Sequence, residues 1–314
     1  MQTTNITEEH IIWAYRLFLD REPENQEVIK EKLTCKNTRE LRDLFRKLKE
    51  YQEKEINKLF PKIKGDYSLV FMHIPKTGGT TLHNILAKHF YPDEICPEKL
   101  NDLKKYPQNS LEKYRFFSGH FDRENIKYIP QNAKIITILR EPKNRILSVY
   151  YFWKAHRSEV IEKENLVEPR IAKKLNLLEF LRYGDQGIPL HIDNVQVRTM
   201  LGKMYVGDKG EYLIAKDEAL AKAIEYLDSL SAFGIMEEYL KTVNHFCTLL
   251  GIDTPDVIPV DKARSQLSQL NRFEAVKEEE ITPEIAAELE RLTDLDSQLY
   301  DYAKKKFIAI CAEK

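Results

Sequence analysis

The residues Phe71-Met-His-Ile-Pro-Lys-Thr-Gly-Gly-Thr-Thr-Leu82 decide the fold of this chain. Their apolar start predicts a buried strand, which runs into a loop of glycines and threonines and then into a helix. Glycines let the backbone approach an anion closely, and the N–H groups at a helix start carry partial positive charge. We call Pro75–Thr81 the phosphate loop, because this arrangement predicts a site for a phosphate-like group.

The side chains of the phosphate loop strengthen that prediction, with one full positive charge and three hydroxyl donors. The candidate binding residues are Lys76, Thr77, Gly78, Gly79, Thr80 and Thr81. In the loops of nucleotide triphosphatases the lysine follows the second glycine of G-x-x-x-x-G-K-[ST]. Here Lys76 precedes Gly78, and that pattern does not occur in the chain. The loop is therefore not predicted to belong to an ATP or GTP hydrolase. His73 and His83 flank it and are expected to pack around it.

A second segment predicts a second anion site. The apolar run Ala133–Leu139 predicts a strand, and Pro142 suits the first position of the helix that follows. Arg140 stands at the carboxyl end of the strand, and Ser148 lies off the apolar face of the helix. An arginine and a serine can hold a phosphate together. Two anion sites at two strand ends suit a nucleotide that is phosphorylated at both ends.

Together the two segments resemble a known family. Pro75-Lys-Thr-Gly-Gly-Thr-Thr81 and Leu139-Arg-Glu-Pro-x-x-Arg-x-x-Ser-x-Tyr-Tyr151 closely resemble the two cofactor motifs of sulfotransferases. Those enzymes use 3′-phosphoadenosine-5′-phosphosulfate (PAPS) and release 3′-phosphoadenosine-5′-phosphate (PAP). The resemblance implies that the phosphate loop grips the 5′-phosphosulfate, and that Arg140 and Ser148 grip the 3′-phosphate.

Three further segments resemble the carbohydrate sulfotransferases that include the heparan sulfate and chondroitin/dermatan 2-O-sulfotransferases. The segments are Phe117-Ser-Gly-His-Phe121, Asn194-Val-Gln-Val-Arg-Thr-Met-Leu201 and Phe233-Gly-Ile-Met-Glu-Glu-Tyr239. The resemblance implies a carbohydrate or other hydroxyl-bearing acceptor and a catalytic histidine at His120.

The implied reaction is in-line transfer of a sulfuryl group to a hydroxyl. It needs a base for the hydroxyl proton and positive charge near the departing phosphate oxygen. Lys76 is the candidate for the charge and His120 for the base, since an imidazole can accept a proton at neutral pH. A purely structural role for His120 is the alternative. His156, Asp122 and Glu124 are the other candidate bases.

Further contacts are predicted at lower specificity. The loop before the C-terminal helix carries Arg264 and Arg272, of which Arg272 is our candidate for the 3′-phosphate, although an ordinary polar loop would have the same composition. Arg198 is a candidate for a carboxylate or sulfate group of the substrate. The residues expected to line an acceptor pocket are Tyr150, Tyr151, Trp153 and the segment Asp185–Arg198.

Composition fits a globular enzyme. The 314 residues are 42% hydrophobic, and 49 basic against 50 acidic residues leave a net charge of −1. Such a balance provides no general attraction for nucleic acid. No signal peptide or membrane-spanning run is evident, so we expect a cytoplasmic protein. Because Cys35, Cys96, Cys247 and Cys311 are scattered, neither a metal site nor a disulfide is expected, and no metal should be required.

The chain divides into a helical N-terminal module, residues 1–62, and a sulfotransferase domain, residues 63–314. The latter alternates strand and helix patterns, which predicts an α/β fold with a P-loop-like, mostly parallel sheet flanked by helices. The expected strands lie near Ser68–His73, Arg115–Ser118, Lys134–Leu139 and Ala232–Met236. The expected helices include Thr80–Phe90, Pro142–His156, Lys216–Ser229, Glu238–Leu250 and Pro283–Phe307.

Two other function classes remain open at this point. A P-loop nucleotide kinase or other phosphotransferase would require ATP and magnesium, and the position of Lys76 argues against it. A non-catalytic protein that binds PAP or PAPS would keep the fold without the activity, because a fold alone does not establish function.

Overall fold

The computed structural model describes residues 6–52, 54, 60, 62–130, 132–256 and 270–312. The chain forms two compact units, Met1–Lys62 and Ile63–Lys314. The smaller unit is helical. Its helices and one π-helical turn are Glu8–Ala14, Tyr15–Leu19, Gln26–Lys32 and Thr38–Lys47. Asn25 and Asn37 cap the second and third helices, and Ile11 and Phe45 are fully buried at its centre.

The larger unit is built on one sheet of four parallel strands. The strands are β1 (Ser68–Met72), β2 (Phe116–Gly119), β3 (Ala133–Leu139) and β4 (Ala232–Ile235). Their order in the sheet is β2-β1-β3-β4. The predicted α/β fold is confirmed. The chain leaves β1 for β2 on one side and then crosses to β3 on the other, so the carboxyl ends of β1 and β3 flank a topological switch point.

Helices cover both faces of this sheet. The described helices of the unit are Gly79–Ala87, Gln108–Leu111, Arg123–Ile126, Pro142–Lys154, Ser158–Glu164, Val167–Lys174, Leu177–Leu181, Pro189–Ile192, Val195–Leu201, Lys216–Ser229, Tyr239–Leu250, Pro283–Leu292 and Asp294–Ala312. Three short 3₁₀ turns are Pro92–Glu94, Leu103–Lys105 and Met236–Glu238.

The alternation of side chains along β1 explains the layers. Leu69 and Phe71 pack in a cluster with the helices Gly79–Ala87 and Tyr239–Leu250. Val70 and Met72 point to the opposite face and pack in a second cluster, which includes residues of the helix Lys216–Ser229. Because all five β1 residues are buried, this strand is the centre of the domain.

One predicted helix is wrong. We expected Pro283–Phe307 to be continuous, but it is two helices that meet at Thr293, whose φ of −121° and ψ of 13° are not helical. Asn194 explains the break. Its N–H donates to the Leu292 carbonyl at 2.8 Å, and its side-chain oxygen accepts from the N–H groups of Leu295 and Asp296 at 2.8 and 2.9 Å. A side chain from a distant segment therefore ends one helix and caps the next.

Within the described residues, none of the helices has the length and apolar content that crossing a membrane requires. Cys35, Cys96, Cys247 and Cys311 are free thiols.

Candidate active site

The phosphate loop turns sharply as it leaves β1. Lys76 and Gly78 have positive φ angles of 69° and 81°. The Thr77 hydroxyl donates to the Ile74 carbonyl at 2.9 Å, and the Tyr239 hydroxyl donates to the Gly78 carbonyl at 2.7 Å. The first bond corrects one expectation. The Thr77 hydroxyl, predicted as a donor to phosphate, closes the loop on itself, so this residue has its backbone N–H to offer a ligand.

The two glycines are required by contact as well as by backbone angle. A Cβ atom at Gly78 would lie 2.5 Å from Met236 Sδ, and one at Gly79 would lie 2.1 Å from the His73 ring. Both separations are far below van der Waals contact, so a larger side chain would force either the loop or these neighbouring side chains to move. His73 thus packs against the loop, as predicted.

The helix Gly79–Ala87 begins without a side-chain cap. Its first turn contains Thr80, which is half-buried, and Thr81, which is buried. Uncapped N–H groups at a helix start form a ready anion site. The loop therefore fits a phosphate or phosphosulfate group.

Lys76 brings the two predicted motifs into contact. Its carbonyl accepts a hydrogen bond from Arg140 Nη1 at 2.9 Å. Its ammonium nitrogen lies 3.8 Å from the ring centroid of Phe152, a residue of the helix Pro142–Lys154. This cation–π contact holds the amine beside the loop.

Arg140 directly follows β3, and Ser148 lies half-buried in the second turn of the helix after it. This helix starts differently from the first. The Glu141 carboxylate accepts from the N–H groups of Lys143 and Asn144 at 3.1 and 2.7 Å. Because a carboxylate already occupies the helix start, a phosphate at this strand end would depend on the side chains of Arg140 and Ser148.

His120 follows β2 and lies beside the loop. Its Nδ1 is 2.7 Å from the His73 carbonyl oxygen, and the two imidazole rings are 4.6 Å apart. A carbonyl can only accept, so Nδ1 carries the proton and Nε2 presents a lone pair. His120 is exposed as a residue; partial desolvation of its ring lowers its pKa below the ordinary value of 6.5, while the bond to the His73 carbonyl opposes the shift. The ring is thus neutral and able to accept a proton at neutral pH.

The other candidate bases are engaged elsewhere. Asp122 accepts from the Asn125 N–H at 2.8 Å through one oxygen and from the Asn101 amide at 2.6 Å through the other. Glu124 is paired with Lys127 at 2.9 Å. His156 donates from Nδ1 to the carbonyls of the preceding helical turn, as His120 does to the His73 carbonyl, but His156 is buried whereas His120 is exposed. These contacts favour His120 among the candidates.

His83 plays a packing role, as predicted. Its Nδ1 is 2.9 Å from Ser118 Oγ, and its ring stacks on Phe116 with centroids 5.6 Å apart. Burial, with a smaller contribution from the nearby charge of Lys99, lowers its pKa to about 4.

A cavity of about 340 Å³ opens beside His120. Its walls include His73 and Pro75 at the loop entrance, His120 and Asp122 after β2, and Lys203. This volume is at the lower end of the range, roughly 300–1,000 Å³, that is usual for small-molecule sites. The cavity places a space for an acceptor next to the candidate base.

The predicted pocket residues divide into two groups. The segment Asp185–Arg198 does line the cavity, through Leu190, His191, Val195 and Arg198. Tyr150 and Tyr151 instead lie buried in a separate hydrophobic cluster, against which Trp153 packs. These aromatic side chains therefore contribute to the core and not to this cavity.

Arg198 reaches the cavity with its charge already balanced. Its Nη2 lies 2.9 Å from Asp193 Oδ2, and its guanidinium stacks on the Tyr212 ring at 5.4 Å. Its Nε is buried with no partner among the described residues. The ion pair weakens the case for Arg198 as the recognition site of a substrate anion.

Arg272 forms a two-pronged ion pair with Glu164, with both nitrogen–oxygen distances at 2.6 Å. Its carbonyl accepts from the Arg157 N–H at 3.0 Å, which ties this segment to the start of the helix Ser158–Glu164. Arg264 lies outside the described residues. A role of Arg272 at the 3′-phosphate would require the ion pair with Glu164 to open.

Sequence reasoning assigned no role to Arg145. Its side chain is 1% exposed, and Nη2 donates to the His191 carbonyl at 2.9 Å, while Nε and Nη1 have no partner among the described residues. Burial lowers its pKa to about 10, although the nearby carboxylate of Asp296 opposes the shift. The second cofactor motif does fix an arginine at this position, but nothing in the sequence predicts that its side chain is buried.

Comparison with known proteins shows which family the site-bearing part of the chain resembles. Residues 61–196, which contain the phosphate loop, His120, Arg140 and Ser148, match the sulfotransferase family. Over this range the chain is similar to the sulfotransferase family. The matched range holds all three strand ends that form the candidate site, so the similarity covers the site and not only the scaffold.

Individual sulfotransferases agree with this assignment. Heparan-sulfate 6-O-sulfotransferase 3-B of Danio rerio is 27% identical over 285 residues, which cover 78% of this chain and 65% of that protein. Heparan-sulfate 6-O-sulfotransferase 2 of Gallus gallus is 27% identical over 289 residues, covering 78% of this chain and 68% of that protein. A protein-tyrosine sulfotransferase of Arabidopsis thaliana is 35% identical over 86 residues, 27% of this chain and 17% of that protein.

The chain therefore spans 17% of the length of the Arabidopsis thaliana protein and 65% of the length of the Danio rerio protein. The relatives that match 78% of this chain are named as 6-O-sulfotransferases of heparan sulfate, rather than the 2-O type named from the motifs. Across the described residues there is no group of three or more histidines, cysteines and carboxylates placed to hold a metal ion.

Proposed function

We propose that this chain transfers a sulfuryl group from PAPS to a hydroxyl group of a carbohydrate acceptor. The observation that carries the proposal is the meeting of three elements at adjacent strand ends. The phosphate loop follows β1, His120 follows β2 and Arg140 follows β3. The contacts His120–His73 and Arg140–Lys76 join them into one site beside the 340 Å³ cavity.

The residues present fit such a donor. The uncapped start of the helix Gly79–Ala87 and the charge of Lys76 would hold the 5′ end, and Arg140 with Ser148 would hold the 3′-phosphate. When bound, PAPS supplies the activated sulfuryl group.

The chain's own residues have distinct roles in the proposed transfer. His120 accepts the acceptor's hydroxyl proton at Nε2, while the bond from Nδ1 to the His73 carbonyl fixes the ring and stabilises the imidazolium that forms. Lys76 stabilises the negative charge that develops on the leaving phosphate oxygen, and the loop N–H groups stabilise the equatorial sulfate oxygens. Both effects stabilise the transition state more than the ground state.

The acceptor class is supported by the relatives. Those that match 78% of this chain are named for heparan sulfate, whereas the tyrosine sulfotransferase matches 27% of it. We therefore favour a glycan hydroxyl over a tyrosine hydroxyl.

The test is transfer of labelled sulfate from PAPS to a panel of acceptors. The panel should contain desulfated heparan sulfate, chondroitin and a tyrosine-containing acidic peptide, with Lys76→Ala as the negative control. We expect label on a glycan from the unaltered protein and none above background from the variant. Label on the peptide alone would refute the carbohydrate acceptor. Transfer of phosphate from ATP with magnesium, and no sulfate transfer, would refute the sulfotransferase reaction.

A further inference from the structure

The backbone of Arg140 is held in an unusual way where it leaves the sheet. The ladder between β3 and β1 ends at Thr137, and the ladder to β4 ends at Leu139. The next residue, Arg140, gives both of its backbone groups to one side chain. Its N–H donates to Gln196 Oε1 at 2.9 Å, and its carbonyl accepts from Gln196 Nε2 at 2.9 Å.

A primary amide presents an acceptor and a donor side by side in one plane, as a peptide group does. Gln196 therefore takes the place of a neighbouring strand for one residue and extends the sheet up to the arginine. Gln196 is fully buried, so neither bond is exposed to competition from bulk water. The direction in which the Arg140 side chain leaves the backbone is set by this clamp.

Gln196 is itself held from the other side. Its N–H and that of Val197 donate to the two carboxylate oxygens of Asp296 at 3.1 and 2.8 Å. In return, Asn194 caps the helix Asp294–Ala312 through the N–H groups of Leu295 and Asp296. Two helix starts thus cap each other, and these bonds hold the backbone of Gln196, and with it the side-chain amide, in a fixed position.

The clamp continues into the phosphate loop. Arg140 Nη1 donates to the carbonyl of Lys76, whose left-handed backbone is a strained conformation for a lysine. The hydrogen bonds therefore run from Asp296 through Gln196 and Arg140 to Lys76. A change at Gln196 would alter the placement of both charged residues at the site.

We propose that Gln196 is a positioning residue, which aims Arg140 at the 3′-phosphate and, through Arg140, supports Lys76 at the 5′ end. It contacts neither the donor nor the acceptor. This inference rests on the proposed function, since it takes PAP and PAPS as the ligands of the site.

The experiment is calorimetric titration of the full chain with PAP and with adenosine 5′-monophosphate, which lacks the 3′-phosphate. The quantity of interest is the ratio of the two affinities, because it isolates the contribution of the 3′-phosphate. In Gln196→Met, which keeps the volume and loses the amide, we expect this ratio to fall about tenfold. Combined with Arg140→Ala, Gln196→Met should lower the ratio no further than Arg140→Ala does alone.

Thr242→Val is the matched control. The Thr242 hydroxyl clamps the end of β4 in the same manner, since it accepts from the Ile235 N–H and donates to the Ile235 carbonyl, both at 2.9 Å. It is also fully buried. Losing this clamp should lower stability and leave the affinity ratio unchanged, which separates positioning from a general loss of structure.

The outcomes are distinct. If the unaltered protein shows no preference for PAP, the proposed function fails. If it prefers PAP and Gln196→Met keeps the same ratio, the positioning role is refuted while the proposed function stands.

If Gln196→Met does not fold, Gln196→Glu provides the test, because a protonated carboxyl both donates and accepts whereas an ionised one only accepts. For Gln196→Glu, the ratio of PAP affinity to adenosine 5′-monophosphate affinity should be divided by the ratio of the unaltered protein at the same pH. This quotient should fall as the pH rises. A ratio independent of pH would refute the role.

Discussion

The helices that follow β1 and β3 begin in opposite ways. After β1, Gly78 has a positive φ and the helix Gly79–Ala87 has no side-chain cap. After β3, the carboxylate of Glu141 caps the helix Pro142–Lys154. The same strand-to-helix connection is therefore open to an anion at one end and already filled by one at the other. At the open end the backbone can bind the ligand, whereas at the filled end the side chain of Arg140 has to do so.

The largest effect is expected at His120, which is hydrogen-bonded to the His73 carbonyl just before the open end. His120→Asn should lower kcat about 10²–10⁴-fold, because the variant has no group to accept the hydroxyl proton. The lowered pKa of His120 makes its neutral form predominant above pH 6.5, so kcat/KM should rise with pH and level off below that value. Initial rates of PAP release across pH 4.5–8.5 measure both effects.

His245→Asn is the control for this substitution, since His245 packs beside Phe246 and Phe307 on another part of the domain. Its rate should stay close to that of the unaltered protein. A profile that keeps rising through pH 8 would assign the base to a different group.

Lys76 and Lys143 compare the two helix starts directly. Lys76→Ala should lower kcat about 10²–10³-fold, because positive charge near the leaving oxygen is lost. Lys143 lies in the first turn of the other helix and pairs with Glu290 at 3.1 Å, so Lys143→Ala should change the rate little. Equal losses in the two variants would mean that general electrostatic attraction, and not the loop, explains the role of Lys76.

Gly78 tests whether the shape of the open end matters. Gly78→Ala should weaken PAP binding at least tenfold, because the added methyl meets Met236 and Tyr239 and displaces the loop. Gly251 also has a positive φ, of 66°, but open space around it, so Gly251→Ala carries the backbone strain without the contact. Calorimetry should show normal PAP affinity for Gly251→Ala. Similar affinities in the two variants would show that the loop does not bind the ligand.

Glu141 gives the smallest expected effect. Glu141→Ala removes the cap at the filled end and should lower the free energy of unfolding by about 1 kcal/mol. Because that helix start is not the ligand's site, PAP affinity should change by less than about threefold. Denaturant unfolding and calorimetry measure the two quantities. A loss of affinity as large as that of Gly78→Ala would remove the distinction between the two ends.

The sequence predicts the open end well, because its signals are local. An apolar run, two glycines and a lysine within Phe71–Leu82 are enough to place a strand, an anion loop and a helix. The same holds for Ala133–Leu139 and Arg140. Since parallel strands end at one edge, the meeting of these residues follows from the alternation of strands and helices.

What the sequence does not predict depends on partners that lie far apart. The break at Thr293 is invisible to periodicity, because the apolar spacing from Leu289 to Leu299 continues across it. Its cause, Asn194, lies about 100 residues away from the break. Gln196 and Asp296, which are hydrogen-bonded to each other, are also 100 residues apart. The burial of Arg145 likewise depends on packing between helices, so the motif that contains this arginine does not show that its side chain is buried.

The most direct test of the account is calorimetric titration of the chain with PAP, beside ADP and AMP, with and without magnesium. We expect tight binding of PAP that does not need the metal, that requires the 3′-phosphate and that weakens in Arg140→Ala. Absence of PAP binding, or an equal preference for ADP in the presence of magnesium, would contradict the proposed donor and favour a phosphotransferase.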